Sequence, residues 1–257
     1  MWIHFNCNMG EKVQTILLRD GAVGDRVEPW LRSKDDVNLI TATSKKSEDN
    51  RHGSSPTSGL EAVSEHKPDL LLSAGYRHII PNDILEEADM ALNCHNSYLP
   101  YSRGANSNVW SIIEEEPVGV TIHEMVENVD AGPIVAQRHV PLYPDDSGKD
   151  LYSRLIDATV GLLEDEWELI RDGTYETKEN SIEQGTHHRS EEFDELCELD
   201  LQAETTVKET IDKLRALTFP PFKNAYFKRN GKKYYVDIDI QEADNIDEKI
   251  QSAREDE

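Results

Sequence analysis

Two short apolar runs constrain this chain more than any other feature: 69-DLLLSAG-75 and 89-DMALNCH-95. Each is compact, and the first is bounded by Pro68 and Gly75. Runs of this length without apolar–polar alternation read as strands buried on both faces. Such strands need helices above and below their sheet, and the flanking segments supply candidates. The segment 36-DVNLITAT-43 reads as a further strand and 60-LEAVSEH-66 as a short helix. From Ser147 to about Arg171 a long helix places Leu151, Leu155, Ile156, Leu162, Leu163, Trp167 and Ile170 on one face, with Gly173 where a C-terminal cap belongs. Two more strands are expected at 117–125 and 133–142. At the start, residues 1–7 read as a strand, 11–19 as a helix and 44–59 as a loop. The expected fold is α/β, with a mainly parallel, Rossmann-like sheet and helices on both faces.

Beyond a polar stretch, Thr206 and Glu209 form a capping box ahead of Val207, Ile211, Leu214 and Leu217, and Pro220-Pro221 stops that helix. Residues 225–240 then give two aromatic strands around Asn230-Gly231, the strongest short hairpin signal. The expected division is a main α/β domain over 1–175, a small C-terminal helix and β-hairpin unit over 190–245, and an acidic tail over 246–257. There is no internal repeat.

With 257 residues the chain can bury a full core without covalent staples. Cys7, Cys94 and Cys197 are odd in number and scattered, which argues against a disulfide framework or a zinc site. The opening MWIHFNCNMGEK shows no basic leader before an apolar stretch, and no run of apolar residues is long enough to span a bilayer. A reducing, cytoplasmic setting without membrane attachment is expected. The formal charge of −24 disfavours nucleic acid as a partner, because that affinity rests on Lys and Arg meeting phosphates. The acid is spread along the whole chain, as suits a halophilic protein from a salty interior where ions screen self-repulsion.

In open parallel sheets, ligands bind beyond the carboxyl ends of the strands. The run 89–95 delivers Asn93 and His95 there, two residues apart and therefore on one side of an extended chain. Cys94 points the other way, into the sheet. Asp130 follows the strand at 117–125, inside 127-ENVDAG-132. An amide, an imidazole and a carboxylate at neighbouring strand ends suit proton relay and oxyanion stabilisation. Taken alone, a histidine at a strand end is more often a satisfied structural residue, and Asp before Ala-Gly is ordinary turn chemistry. His187-His188 lacks further ligands at metal spacing and reads as a solvated loop.

Four linked pieces change that balance. Asn93-Cys94-His95, then 97-SYLPYSRG-104, 119-GVTIH-123 and 130-DAGPI-134 together resemble the folate-dependent formyltransferase family, strongly over residues 69–140. The resemblance implies 10-formyltetrahydrofolate as co-substrate and no metal. It implies that Asn93 and a protonated His95 stabilise the oxyanion formed when an amine attacks the formyl carbon, while Asp130 orients His95 and aids proton transfer. By the same resemblance, Tyr76, Arg77, Ile80, Met125 and Val129 bind the pterin, and Tyr101, Arg103 and Asn108 face the acceptor. The stretch 97–125 looks most like the branch that formylates nucleotide-linked amino sugars, in which the C-terminal hairpin commonly makes a homodimer. Methionyl-tRNA or glycinamide ribonucleotide as acceptor, and a non-catalytic folate-binding protein of the same fold, are the competing readings. The chain departs from the family in its first twelve residues, which lack the usual Gly-rich first turn, and residues 20–60 match no pattern.

Overall fold

A computed structural model describes residues 12–43 and 56–243. Its centre is a six-stranded sheet in the order β2-β1-β3-β4-β6-β7. Strands β1 (Val13–Arg19), β2 (Val37–Thr43), β3 (Leu70–Ala74) and β4 (Met90–His95) run parallel. Strands β6 (Gly119–Glu124) and β7 (Ile134–His139) close one edge antiparallel. All five residues of β3 are buried, as its unbroken apolar run requires.

Alternation along β1 shows how the sheet splits its core. Leu17 packs with Leu70, Leu72 and Leu92 beneath α1 (Gly21–Arg32), α4 (Ser107–Ile113) and α5 (Gly148–Arg171). Ile16 and Leu18 pack on the opposite face with Leu71, with Val63 of α2 (Pro56–His66) and with Leu85 of α3 (Asn82–Leu85). Truncating one of these fully buried leucines to alanine costs about 2–5 kcal/mol. The start of α5 is fixed by Ser147 and Asp150, which cap each other's backbone amides reciprocally.

One expectation for the N-terminal part fails. Residues 13–19, expected within a helix, are strand β1; the expected strand at 1–7 lies outside the described residues. Val13, Ile16, Leu17 and Leu18 match a helical face, but burial between β2 and β3 decides in favour of a strand. Helix α1 then went unread because Pro29 sits inside it, where proline normally ends a helix. With β1 in its proper place, a Gly-bearing strand-to-helix turn appears at Asp20–Gly24. Gly21 has φ +60°, and the Asp20 side chain accepts the amide of Gly21.

The C-terminal part holds α6 (Ser190–Cys197) and α7 (Val207–Leu217), with a two-stranded pair β9 (Thr218–Phe219) and β10 (Phe222–Lys223). The expected hairpin forms around Asn230-Gly231 from β11 (Tyr226–Arg229) and β12 (Lys232–Tyr235). Buried Arg215 of α7 ties this part to the α/β layers, donating to Asp212 and to the carbonyls of Tyr143 and Asp146. The pair His187-His188, expected as a solvated loop, is strand β8, parallel to β5 (Arg103–Gly104). Among the described residues, no helix is long and apolar enough to cross a membrane.

Candidate active site

The switch in strand order lies at β1, which sends the chain to β2 on one side and to β3 on the other. Crevices open beyond the carboxyl ends of strands at such a point. Asn93 and His95 stand at the end of β4, and the antiparallel register sets His123 of β6 directly opposite Asn93. Asp130 reaches the same place from the loop after β6. It is held there at φ +51°, a conformation that Asp tolerates better than most side chains. Asn180 braces this turn by donating to the carbonyls of Asp130 and Gly132.

Hydrogen bonds fix the roles within the cluster. Nδ1 of His123 lies 2.8 Å from the Glu124 carbonyl, which only accepts, so Nδ1 carries a proton. Nε2 of the neutral ring then accepts from Nδ2 of Asn93 at 3.1 Å. The second Asn93 amide hydrogen faces Oδ1 of Asp130 at 3.4 Å, a weaker contact. Oδ2 of Asp130 accepts the Gly104 amide at 3.0 Å and lies 3.7 Å from Nδ1 of His95. Nε2 of His95 is buried and has no partner.

These contacts set the resting charges. Burial pushes the His95 pKa below its usual value; nearby Asp130 opposes that pull without overcoming it. Burial would raise the Asp130 pKa, but the two imidazoles and the Gly104 amide outweigh it and hold the carboxyl well below its ordinary range. The floor therefore rests with Asp130 ionised beside a histidine whose pKa burial lowers. Burial alone pushes the Cys94 thiol up to about 12, so it stays protonated in the core.

Two cavities flank this floor. The smaller is lined by Asn93, His123 and Asp130 together with Tyr76, Ile80, Met125 and Val129, so four of the five expected pterin residues share one wall. Arg77, the fifth, lines the other cavity instead. Arg77 follows Tyr76 directly in the loop after β3, yet the two line different cavities. That second cavity, of about 1270 Å³, is walled by Asp20, Asp25, Arg77, Tyr152, Phe219 and Phe222, among others. Asn108 reaches it too, although its amide already donates to the Gly148 carbonyl. Tyr101 and Arg103 line neither cavity; one Arg103 nitrogen lies 3.4 Å from the Ile182 carbonyl. His123 and Gly104 were missed as site residues. The signal for His123 was its place in an alternating strand, on the face that also carries Thr121. Among the described residues, no group of three or more His, Cys, Asp and Glu side chains is placed to hold a metal ion.

Comparison with known proteins identifies the family. The family model described as formyl transferase covers residues 26–165, and the one described as N-formyltransferase dimerization C-terminal domain covers 192–242. The dTDP-4-amino-4,6-dideoxyglucose formyltransferase of Mycobacterium tuberculosis is 36% identical over 174 residues, 67% of this chain and 74% of that relative. A 4-N formyltransferase from Francisella tularensis superposes with a TM-score of 0.82 at 26% identity, covering 91% of this chain and 100% of that one. The formyltransferase PseJ from Anoxybacillus kamchatkensis was solved with UDP-4,6-dideoxy-4-formamido-L-AltNAc and tetrahydrofolate. It is 30% identical with a TM-score of 0.59, covering 79% of this chain and 98% of that one. The chain belongs to the formyl transferase family and is a folate-dependent N-formyltransferase.

Proposed function

We propose that the chain transfers a formyl group from 10-formyltetrahydrofolate to the amine of a nucleotide-linked amino sugar. The observation that carries this reading is the buried, unpartnered Nε2 of His95 beside an ionised Asp130, which itself lines the smaller cavity. A buried polar atom without a partner is costly unless a ligand completes it. Tyr76, Ile80, Met125 and Val129 would hold the flat pterin, with Asn93, His123 and Asp130 as polar groups at the floor and His78 and Glu127 elsewhere on the wall. The folate supplies an activated formyl group on its N10 nitrogen.

His95 takes the proton from the attacking amine on Nε2 as the new N–C bond forms. The ring is therefore neutral at rest and becomes an imidazolium during the reaction, stabilised by the adjacent Asp130 carboxylate. Asn93 supplies a hydrogen bond to the negative charge growing on the formyl oxygen, releasing its weak 3.4 Å contact with Asp130 to do so. His95 then returns its proton to the nitrogen that the formyl group leaves. Protons balance: the amine loses one and the folate gains one.

The larger cavity suits the acceptor. Tyr152, Phe219 and Phe222 offer faces for a base, Arg77 a fork for a diphosphate, and Asp20 and Asp25 acceptors for sugar hydroxyls. The catalytic unit spans residues up to about 175. The unit over 190–245 makes a homodimer, with exposed Tyr234 and Tyr235 on the hairpin. The relatives that act on nucleotide-linked amino sugars support this choice of acceptor. The place of action is the cytoplasm, in high salt. The test is mass spectrometry in molar salt with 10-formyltetrahydrofolate and a panel of nucleotide-linked amino sugars. A mass gain of one formyl group on a single sugar supports the proposal. Formylation of glycinamide ribonucleotide or methionyl-tRNA alone would overturn it.

A further inference from the structure

Behind the catalytic floor, His188 occupies an unusual position. Its ring is buried and lies flat on Trp110, with centroids 3.9 Å apart and planes 9° from parallel. Nδ1 faces a carboxylate oxygen of Glu192 at 3.0 Å, and Nε2 faces Glu114 at 3.1 Å. Both ring nitrogens are thus engaged by carboxylate side chains, and the ring plane is held by the face of Trp110. Further charged groups at this place are Arg189, 3.6 Å from Glu192, and Glu116, which shares the Thr186 hydroxyl with Glu114; the His187 ring turns towards Gly104 instead.

The backbone of this same residue holds the floor. The carbonyl of His188 accepts the Ala105 amide at 3.0 Å, while the Arg103 amide donates to Thr186 at 3.1 Å, and these bonds form the β5–β8 pair. Between them, the Gly104 amide turns the other way and donates to Oδ2 of Asp130. Gly104 has φ +86°, and a Cβ there would collide with the His188 carbonyl, so the two strands are as close as glycine permits.

We propose that His188 is a positioning residue for formyl transfer: clasped between Glu114 and Glu192 on Trp110, it fixes β5 and thereby the amide that aims Asp130. The proposal rests on the reading that Asp130 is catalytic. The clasp joins α4 of the α/β layers to α6 of the C-terminal part, so it also makes the aim of Asp130 depend on how that part is seated.

The test compares His188→Phe, His188→Arg, Glu192→Gln and Asp130→Asn in steady-state kinetics, each well below its melting midpoint. Phenylalanine keeps the stack on Trp110 but donates nothing; arginine can stack and donate to both glutamates. The expected result is a fall in kcat of about tenfold or more for His188→Phe, with KM for both substrates within about twofold. His188→Arg regains most of that loss. Glu192→Gln, at the outer edge of the clasp, shows a smaller fall in the same sense and serves if His188→Phe does not fold. Wild-type kcat in both His188→Phe and Glu192→Gln, or an arginine variant as impaired as the phenylalanine one, would overturn the proposal. Asp130→Asn separates the two ideas: full turnover in that variant overturns the catalytic reading itself, whatever His188 does.

Discussion

The catalytic floor and the larger cavity are built on different plans. At the floor, Asn93, His95 and His123 come from two adjacent strands, and Asp130 from the loop between β6 and β7, with neighbouring polar atoms 3.0–3.7 Å apart. The sheet register itself sets the Asn93–His123 distance. The cavity draws Asp20 and Asp25 from α1 and its cap, Arg77 from the loop after β3, Tyr152 from α5, and Phe219 and Phe222 from β9 and β10. These walls converge only through tertiary packing, and Phe222 is 64% exposed. On the proposed reading, chemistry is held by a rigid ladder, whereas recognition is spread over separate elements. Mutations should therefore divide between kcat and KM according to which plan they touch.

The sharpest break of that comparison is His95→Ala. It should lower kcat about a thousandfold, as expected when a positioned proton acceptor is lost, with folate binding retained by calorimetry. A kcat within tenfold of the natural chain would remove His95 from the reaction. Arg77→Gln should raise KM for the nucleotide-linked acceptor about tenfold to a hundredfold, the loss of a charge-assisted bond, and leave KM for the folate unchanged. A change confined to the folate KM would return Arg77 to the pterin side. Phe222→Ala should raise the same acceptor KM by only about threefold, because an exposed ring gains less from stacking than a buried one.

The smallest effect concerns acid. Burial lowers the His95 pKa, so the reactive neutral ring persists below the ordinary imidazole value of about 6.5. The acid limb of kcat/KM should lie below that value. The sign for stability is the same. Between the lowered folded value and about 6.5 the unfolded chain binds the extra proton, so His95 favours unfolding as pH falls through that window. An acid limb at or above 6.5 would show that the ring is charged at rest, and would return His95 to a donor.

Much of the floor was legible because it is local. Asn93 and His95 share one strand, and alternation alone places them on one side. The first strand was misread for a related reason: Val13, Ile16, Leu17 and Leu18 suit a helical face and equally a strand buried on both faces, and only neighbouring strands decide between them. Arg77 was misplaced because a family pattern gives position along the chain but not the side of the backbone. His188 stayed hidden because its partners, Trp110, Glu114 and Glu192, lie in separate elements that no sequence period connects.

Cys94 carries a practical consequence. It lies between Asn93 and His95 in the chain, yet its side chain packs with Leu92 and Ile122 in the core and stays fully protonated. Cys94 therefore offers no reactive thiol to the cavity beside Asn93, and an electrophilic inhibitor seated there gains nothing from it.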